Sequence, residues 1–256
     1  MAELYNNNTV SVITPVYNAA RFIKGTVESV VNQTYKDIEI VLVDDCSKDN
    51  SAEIISELQK KYTNIVYYKQ VTNQGAAVAR NKAINLAKGR YVAFLDSDDL
   101  WLPEKIERQL TLMKEKNCPF CYAAIDFIDE EGNVIKGKRS LKETCDYNYL
   151  LHNTIIATST VVVDRNVIGD FQMPLRRGGQ DYATWLMLLR DGTVARGINE
   201  VLSHYRITCN SLSSNKWKSI KQVWEIQTRN EKINPIKVVW NEFCFIWNAL
   251  KKYKLS

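Results

Sequence analysis

The chain has 256 residues, 45% of them hydrophobic and 25% charged, a globular composition that excludes disorder and low complexity and suits one or two α/β domains. Ten glycines and five prolines are too few for a fibrous or linker-rich chain; no apolar stretch approaches the roughly 20 residues of a membrane-spanning helix, and the polar start, Met1–Thr9, shows no secretory signal, so the chain is expected in the cytoplasm. The net charge of +5 is concentrated: Ser211–Ser256 holds nine Lys/Arg against three Asp/Glu and four of the six tryptophans, while the first 210 residues sum to −1, so the tail points to an anionic partner.

The first hundred residues alternate strand and helix patterns. Apolar runs at Val10–Pro15, Ile38–Val43, Ile65–Lys69 and Tyr91–Leu95 predict four strands. Between them, apolar spacing predicts helices over Ala20–Asn32, from the capping group Ser47–Asn50 to about Lys61, and over Ala76–Ala87, which Gly75 opens and Gly89 stops. Strands apolar on both faces and alternating with helices predict an α/β fold with a parallel sheet covered on both sides. After Pro103 a helix is expected to about Lys116, and Phe120–Ile128 with Val134–Lys136 flanks a hairpin signal at Glu130–Asn133. Ile155–Val163 is the longest β-rich run, followed by the Pro/Arg/Gly loop Met173–Gln180 and a helix from Asp181 to Arg190. Short strands are expected at Val194–Ile198 and Leu202–Tyr205, then two helices from about Lys216, divided at Asn234-Pro235. This gives a body over 1–215, with a nucleotide-binding half to residue 100 and an acceptor half over 101–215, and a basic aromatic tail over 216–256. The six cysteines are scattered, and Cys118-Pro-Phe-Cys121 has no second pair or nearby histidine to complete a zinc site, so they read as reduced structural thiols.

Several chemistries are absent by inspection. No two glycines are spaced G-x-G, no G-x-x-x-x-G-K-[ST] loop occurs, and there is no H-E-x-x-H or G-x-S-x-G. Phosphates bound here need a different neutralising group, and a metal held by carboxylates is the obvious substitute. Two predicted strands end in clustered aspartates, so Asp44, Asp45, Asp96, Asp98 and Asp99 are expected to converge at the carboxyl edge of the sheet. Mg²⁺ or Mn²⁺ prefers one or two carboxylates plus substrate phosphate oxygens. The competing reading, that Asp45 or Asp99 only caps the following helix, stays open.

Four collinear segments, Ser11-Val-Ile-Thr-Pro-Val-Tyr-Asn18, Val43-Asp-Asp-Cys-Ser-Lys-Asp49, Asn73-Gln-Gly75 with Ala79-Arg-Asn81, and Phe94-Leu-Asp-Ser-Asp-Asp-Leu-Trp101, resemble the successive motifs of family-2 glycosyltransferases. The match spans about residues 10–215 and implies a GT-A fold, a Rossmann-like mostly parallel sheet flanked by helices, here with a C-terminal helical extension, and inverting transfer from a nucleotide sugar. The resemblance implies that Pro15 and Tyr17 pack the base and ribose, and that Asp45 bonds a uracil edge, hence a UDP-sugar. It places Asn73 and Gly75 beside the nucleotide and gives Arg80 either a phosphate contact or a buried structural ion pair. Asp96-Ser97-Asp98 is the D-x-D signature, with Asp98 the direct metal ligand and Asp96 on the ribose, the metal or its water. Asp181, in Gly178-Gly-Gln-Asp-Tyr-Ala-Thr-Trp185, resembles the catalytic base, with Gln180 where the family usually has Glu; as an alternative it caps its helix. Ser203–Ser213 resembles a further family segment, but Thr208 stands where a His is usual, and His204 reads as structural. Arg176 and Arg177 form either a mobile loop over the diphosphate or an ordinary solvated one.

In the tail, Ile236, Val239, Trp240, Phe243, Ile246, Trp247 and Leu250 share a helical face before Lys251, Lys252 and Lys254. Such a helix suits either the interface of an anionic membrane or packing against the body. The leading expectation is a metal-dependent (Mn²⁺ or Mg²⁺) transferase moving sugar from a nucleotide sugar to a glycan or polyprenyl-diphosphate-linked acceptor. It would act at the inner face of the cell membrane in bacterial surface-polysaccharide synthesis, with no nucleic-acid partner. The alternatives are a nucleotidyltransferase, for which Pro15–Ala20 lacks the basic glycine-rich loop, and a nucleic-acid module using the tail, which leaves the aspartates unexplained.

Overall fold

The computed structural model describes residues 5–139, 141–208 and 216–254. The expected body–tail boundary at 215 and the segment Cys209–Ser213 lie outside the described residues. The first half builds β1 (Asn6–Val16), α1 (Ile23–Val31), β2 (Ile38–Asp44), α2 (Ser51–Lys61), β3 (Ile65–Lys69), α3 (Ala76–Leu86) and β4 (Gly89–Phe94). The second half adds β5 (Leu100–Trp101), α4 (Lys105–Glu115), β6 (Phe120–Ile128), β7 (Val134–Arg139), β8 (Thr144–Cys145), α5 (Tyr147–Leu151), β9 (Val162–Asp164), α6 (Arg165–Ile168), α7 (Gln180–Leu189) and β10 (Ala195–Arg206). The tail forms α8 (Lys216–Glu225), a π-helical turn (Ile226–Asn230) and α9 (Pro235–Lys254), divided at Pro235 as expected.

Both halves share one mixed sheet, in the order β3-β2-β1-β4-β9-β6-β10-β5. β3, β2, β1 and β4 are mutually parallel, as are β6 and β10, while β9 runs antiparallel between β4 and β6. Alternation along each strand divides the apolar side chains between two faces. Ile13, Val41, Val43, Val92 and Phe94 pack with Ala79, Leu150, Trp185 and Leu186 from α3, α5 and α7. Val12, Ile40, Leu42, Ala93 and Leu95 pack with Ile23, Ile55 and Ile106 from α1, α2 and α4. Gly89 is the first residue of β4 rather than only the stop of α3: a Cβ there would collide with the Thr9 carbonyl, so glycine permits β4 to close on β1.

Two local expectations are corrected. The two strands expected at Val194–Ile198 and Leu202–Tyr205 are one strand, β10, whose register against β6 shifts between Ile198 and Val201, which takes up the polar Asn199-Glu200 without breaking pairing. Of the β-rich run Ile155–Val163, only Val162 and Val163 belong to a strand; Thr158–Thr160 is a 3₁₀ turn, in which the Thr160 hydroxyl donates to the Ala157 carbonyl at 2.7 Å, a local bond that competes with sheet pairing. Within the Ser47–Asn50 group the capping of α2 falls to Asp49, whose Oδ1 accepts from the Ser51 amide at 3.1 Å; Asn50 makes no capping bond, and Ser47 and Asp49 also accept from the Asn18 and Ala20 amides, tying the β2–α2 loop to the β1–α1 loop.

Lys105, at the start of α4, is fully buried. Its Nζ donates to Gln109 Oε1 at 2.6 Å and sits 3.9 Å over the Trp101 ring, and burial pushes its pKa down to about 7. Below its ordinary value of 10.5 the unfolded chain binds a proton that this site resists. That cost is complete at pH 7 and below and vanishes as pH rises toward 10.5. Lys105→Met is therefore expected to raise the unfolding free energy by about 1–3 kcal/mol at pH 7, with the gain shrinking toward pH 10, as read from urea melts of both proteins.

Candidate active site

In an open α/β sheet a ligand crevice forms at the carboxyl ends of the strands where strand order reverses. Here that point lies between β1 and β4, and the residues just past β1, β2, β4, β6 and β10 meet at this edge. Pro15 is the penultimate residue of β1, and the Tyr17 ring just beyond it is half exposed. Asn18 adopts a left-handed conformation, φ 49°, and its Oδ1 accepts from the Lys48 amide at 2.9 Å.

Asp45 is buried at the end of β2. Its Oδ1 accepts from the Gln74 amide at 2.7 Å and from Gln70 Nε2 at 2.5 Å, and its Oδ2 accepts from the Gly75 amide at 2.7 Å. The exposed Asn73 donates through Nδ2 to the Asp45 carbonyl at 3.1 Å. Asp45, Asn73 and Gly75 thus form one unit in which a carboxylate meets the amides that open α3, an arrangement the positive helix terminus favours. Gly75 has φ 93°, which disfavours any other residue there. Asp45 caps nothing on α2; it holds the loop that begins α3.

The five-residue loop between β4 and β5 separates its carboxylates by environment. Asp96 forms an ion pair with Arg80 Nη2 at 2.5 Å. Arg80 is itself buried, and its Nε and Nη1 have no hydrogen-bond partner among the described residues. Asp99 is buried, accepting from Ser159 Oγ at 2.5 Å and from the Arg206 amide at 2.9 Å; burial, with the charges of Asp98 and Asp96, raises its pKa well above the usual carboxylate range. Asp98 forms no salt bridge among the described residues, and burial together with the charge of Asp96 pushes its pKa up to about 6. The Ser97 and Asp99 carbonyls each accept from Thr26 Oγ1 of α1 at 3.0 Å.

Asp181 lies in the first turn of α7, and its Oδ2 accepts from Thr158 Oγ1 at 3.2 Å. The helix is held by Trp185, whose ring meets Phe94 edge-on at 5.3 Å and Phe120 at 5.4 Å. The 3₁₀ turn therefore touches both ends of the site. Thr158 bonds Asp181, and Ser159 Oγ bonds Asp99 and accepts from the Asp96 amide at 3.1 Å. The Ser159 carbonyl in turn accepts from Trp101 Nε1 at 2.7 Å.

The five aspartates lie at the carboxyl edge of the sheet as expected, but protein donors already occupy three of them. Asp44 is buried and accepts from the Ser47 amide and the Tyr67 hydroxyl, while Asp45 and Asp99 are occupied as described. No group of three metal-binding side chains occurs among the described residues. Asp96 and Asp98 remain, a pair of oxygen donors suited to a hard cation that takes its other ligands from water and a diphosphate. Of the arginine pair, Arg176 pairs with Glu225 at 3.1 Å and donates to Asn230 Oδ1 at 2.9 Å, contacts made by the tail, while Arg177 is exposed. His204 sits in β10 bonded to Asp126, a structural pair as expected. Cys118 and Cys121 are free and buried, with burial pushing the Cys121 thiol up to about 12.

The sequence reading missed Thr158, Ser159, Thr26 and the structural part of Arg206. The buried Arg206 donates through Nε to the Asp98 carbonyl at 2.7 Å and through Nη1 to the Asp129 carbonyl at 2.7 Å, binding the aspartate loop to the β6–β7 turn. The available signal was three successive hydroxyl residues, Thr158-Ser-Thr160, inside a run otherwise read as strand.

Residues 11–173 match the family model "Glycosyl transferase family 2". The chain is 44% identical over 95% of its length to a putative teichuronic acid biosynthesis glycosyltransferase, TuaG, of Bacillus subtilis (strain 168), covering 96% of that protein. It is 36% identical over 95% of its length to the UDP-Glc:alpha-D-GlcNAc-diphosphoundecaprenol beta-1,3-glucosyltransferase WfgD of Escherichia coli, covering 94% of it. Among solved structures, S. aureus TarS 1-349 in complex with UDP-GlcNAc superposes with a TM-score of 0.72 at 18% identity, over 93% of this chain and 71% of that one. The mannosyltransferase PcManGT from Pyrobaculum calidifontis, in complex with GDP-Man and Mn²⁺, superposes with a TM-score of 0.66 at 17% identity, over 92% and 69%. The sheet is the mostly parallel GT-A type, the family decides against nucleotidyl transfer, and the chain belongs to glycosyl transferase family 2 and is a glycosyltransferase.

Proposed function

We propose that this glycosyltransferase moves a sugar from a UDP-sugar to a hydroxyl of a saccharide carried on a polyprenyl diphosphate, with inversion at the anomeric carbon, in the assembly of a bacterial surface polysaccharide. The reaction takes place in the cytoplasm at the inner face of the membrane, where such an acceptor is anchored. Residues 1–100 supply the donor side, 101–215 the acceptor side, and 216–256 the tail. Support for donor and acceptor comes from relatives: TarS is described with UDP-GlcNAc, and WfgD by its name takes UDP-Glc and a diphosphoundecaprenol-linked sugar.

The observation that carries the reading is the asymmetry of the aspartate loop. Asp98 is a carboxylate whose charge is opposed by burial and Asp96, while Asp96 is itself compensated by the buried Arg80. A divalent cation satisfies Asp98 and brings a diphosphate to this loop. Asp98 and Asp96 would hold Mn²⁺ or Mg²⁺, which when bound supplies Lewis-acid stabilisation of the departing diphosphate. Arg80, buried and paired with Asp96, fixes that carboxylate and places a positive charge behind the loop that would face the diphosphate. Tyr17 and Pro15 provide a surface for the base and ribose, Asp45 the uracil edge, and Asn73, Gly75 and Ser97 the surrounding loops. The acceptor oxygen forms its bond to the anomeric carbon as the bond to the diphosphate oxygen breaks on the opposite face. The hydroxyl proton passes to Asp181, whose carboxylate Thr158 orients.

Asp181→Asn is expected to keep Mn²⁺-dependent UDP affinity in calorimetric titration and to lose transfer by about 10²-fold or more, whereas Asp98→Ala loses the metal-dependent part of UDP binding. Normal turnover by the Asp181→Asn enzyme refutes the base assignment. Ser159→Ala deprives the buried Asp99 of a donor and frees the Asp96 amide, so unfolding free energy should fall by about 1–3 kcal/mol and metal-dependent UDP binding should weaken. Melts together with titration below the melting range check this, and unaltered UDP affinity would contradict it.

A further inference from the structure

The last helix packs the wrong way round for an ordinary surface helix. Amphipathic helices bury their apolar face and leave polar residues in water. α9 buries Val238 and, beside it, Asn241, which is 1% exposed. The Asn241 amide is fully engaged: Nδ2 donates to Gln227 Oε1 at 2.7 Å, and Oδ1 lies 2.8 Å from His152 Nε2. Gln227 continues inward, donating to the Leu151 carbonyl at 2.8 Å and to the Tyr182 hydroxyl at 3.2 Å. Hydrogen bonds made by side-chain amides thus dock the tail on the body, beside the core residues Val223 and Ile226 and the partly buried Phe245 that packs on the same core.

The opposite face is left outward. Ile236, Val239, Trp240, Phe243 and Trp247 are each more than half exposed. Their rings form a stacked ladder, Trp240 to Phe243 at 6.0 Å and Phe243 to Trp247 at 6.4 Å. Contiguous aromatic surface of this kind marks an interaction site rather than scattered exposure. A groove of about 320 Å³ runs beside it between α9 and α5, lined by Tyr149, His152, Phe243, Cys244 and Trp247.

Charge decides the occupant. The segment from Ser211 carries nine basic against three acidic residues, with Lys237 exposed on α9 and Lys251, Lys252 and Lys254 following in sequence. A second copy would bring two such cationic tails together, and like charge opposes a self-paired interface. An anionic lipid surface accepts the charge and the aromatic rings together. No helix among the described residues is long and apolar enough to cross a membrane, so α9 would lie in the interface plane.

We propose that the outward face of α9, with the groove along α5, is a docking surface for an anionic phospholipid membrane, the rings entering the interface and lipid hydrocarbon occupying the groove. The surface belongs to the same packed unit as the base. The π turn that receives Asn241 also holds Arg176 through Asn230, and Gln227 reaches Tyr182, the residue after Asp181. Docking rests on the proposed lipid-linked acceptor for its purpose, but its measurement needs neither donor nor acceptor.

Co-sedimentation of the full chain with vesicles of phosphatidylglycerol and phosphatidylcholine, against vesicles of phosphatidylcholine alone, tests it. The wild-type chain should pellet with the anionic vesicles. The triple variant Trp240→Ala, Phe243→Ala, Trp247→Ala should partition at least about tenfold less, with Mn²⁺-dependent UDP affinity unchanged. Brominated lipid should also quench the tryptophan fluorescence of the bound wild-type chain, a readout that does not depend on the variant folding. Wild-type protein left in the supernatant, equal binding by the triple variant, or absence of quenching overturns the proposal. So does a concentration-dependent dimer that ignores vesicles and that the triple variant dissolves, which would assign the face to a second copy. Loss of UDP binding by the wild-type chain would strike the proposed function and leave the vesicle result standing.

Discussion

Three carboxylates within four residues repel one another, and the aspartate loop after β4 is stable only because each has a different neighbour. Arg80 compensates Asp96 by an ion pair, while Asp99 is withdrawn into the body, where Ser159 and the Arg206 amide supply donors. Asp98 is left between them with its charge opposed by burial and by Asp96. The same loop is held by its carbonyls, through Thr26 on one side and Arg206 on the other. A rigid loop with one carboxylate held in reserve differs from a pool of five acidic groups, because it specifies where a cation can be held.

The two proposed chemical roles, charge neutralisation at Asp98 and proton removal at Asp181, would fall to different strands and helices that must be held in fixed relation. The Thr158–Thr160 turn does this within three residues: one hydroxyl reaches Asp181, the next reaches Asp99 and the Asp96 amide. Trp185 wedges α7 against β4 and β6, so the helix bearing Asp181 rests on the strand that leads into Asp96. The tail completes the frame from outside. Gln222 and Ile226 pack so closely on Gly178 and Gly179 that a Cβ at either glycine would force them away, which fixes the loop leading into α7.

Much of this was legible in the sequence because the relevant signals are local. The β-branched runs ending in aspartates marked β2, β4 and the crevice edge, and Asn234-Pro235 marked the break before α9. What the residues alone left open was which way each carboxylate turns, since Asp44, Asp45 and Asp99 read like Asp96 and Asp98 until their hydrogen-bond partners, many of them distant in sequence, are known. The 158–160 turn was hidden for a related reason. β-branched threonine favours strands, but here hydroxyl bonds to the backbone and to distant carboxylates outweigh that preference. In α9 the apolar periodicity was read correctly, yet periodicity cannot say whether an apolar face is turned in or out; the buried partners of Asn241 decide it.

The account stands on Asp98 as the place where a cation and a nucleotide diphosphate meet. The most direct measurement is an anomalous difference map from crystals grown with UDP and Mn²⁺. It should show the ion ligated by Asp98 and by diphosphate oxygens, with Arg80 still paired with Asp96 and Asp99 still turned toward Ser159. An ion bound elsewhere, or UDP seated with nothing between its phosphates and Asp98, would contradict the account.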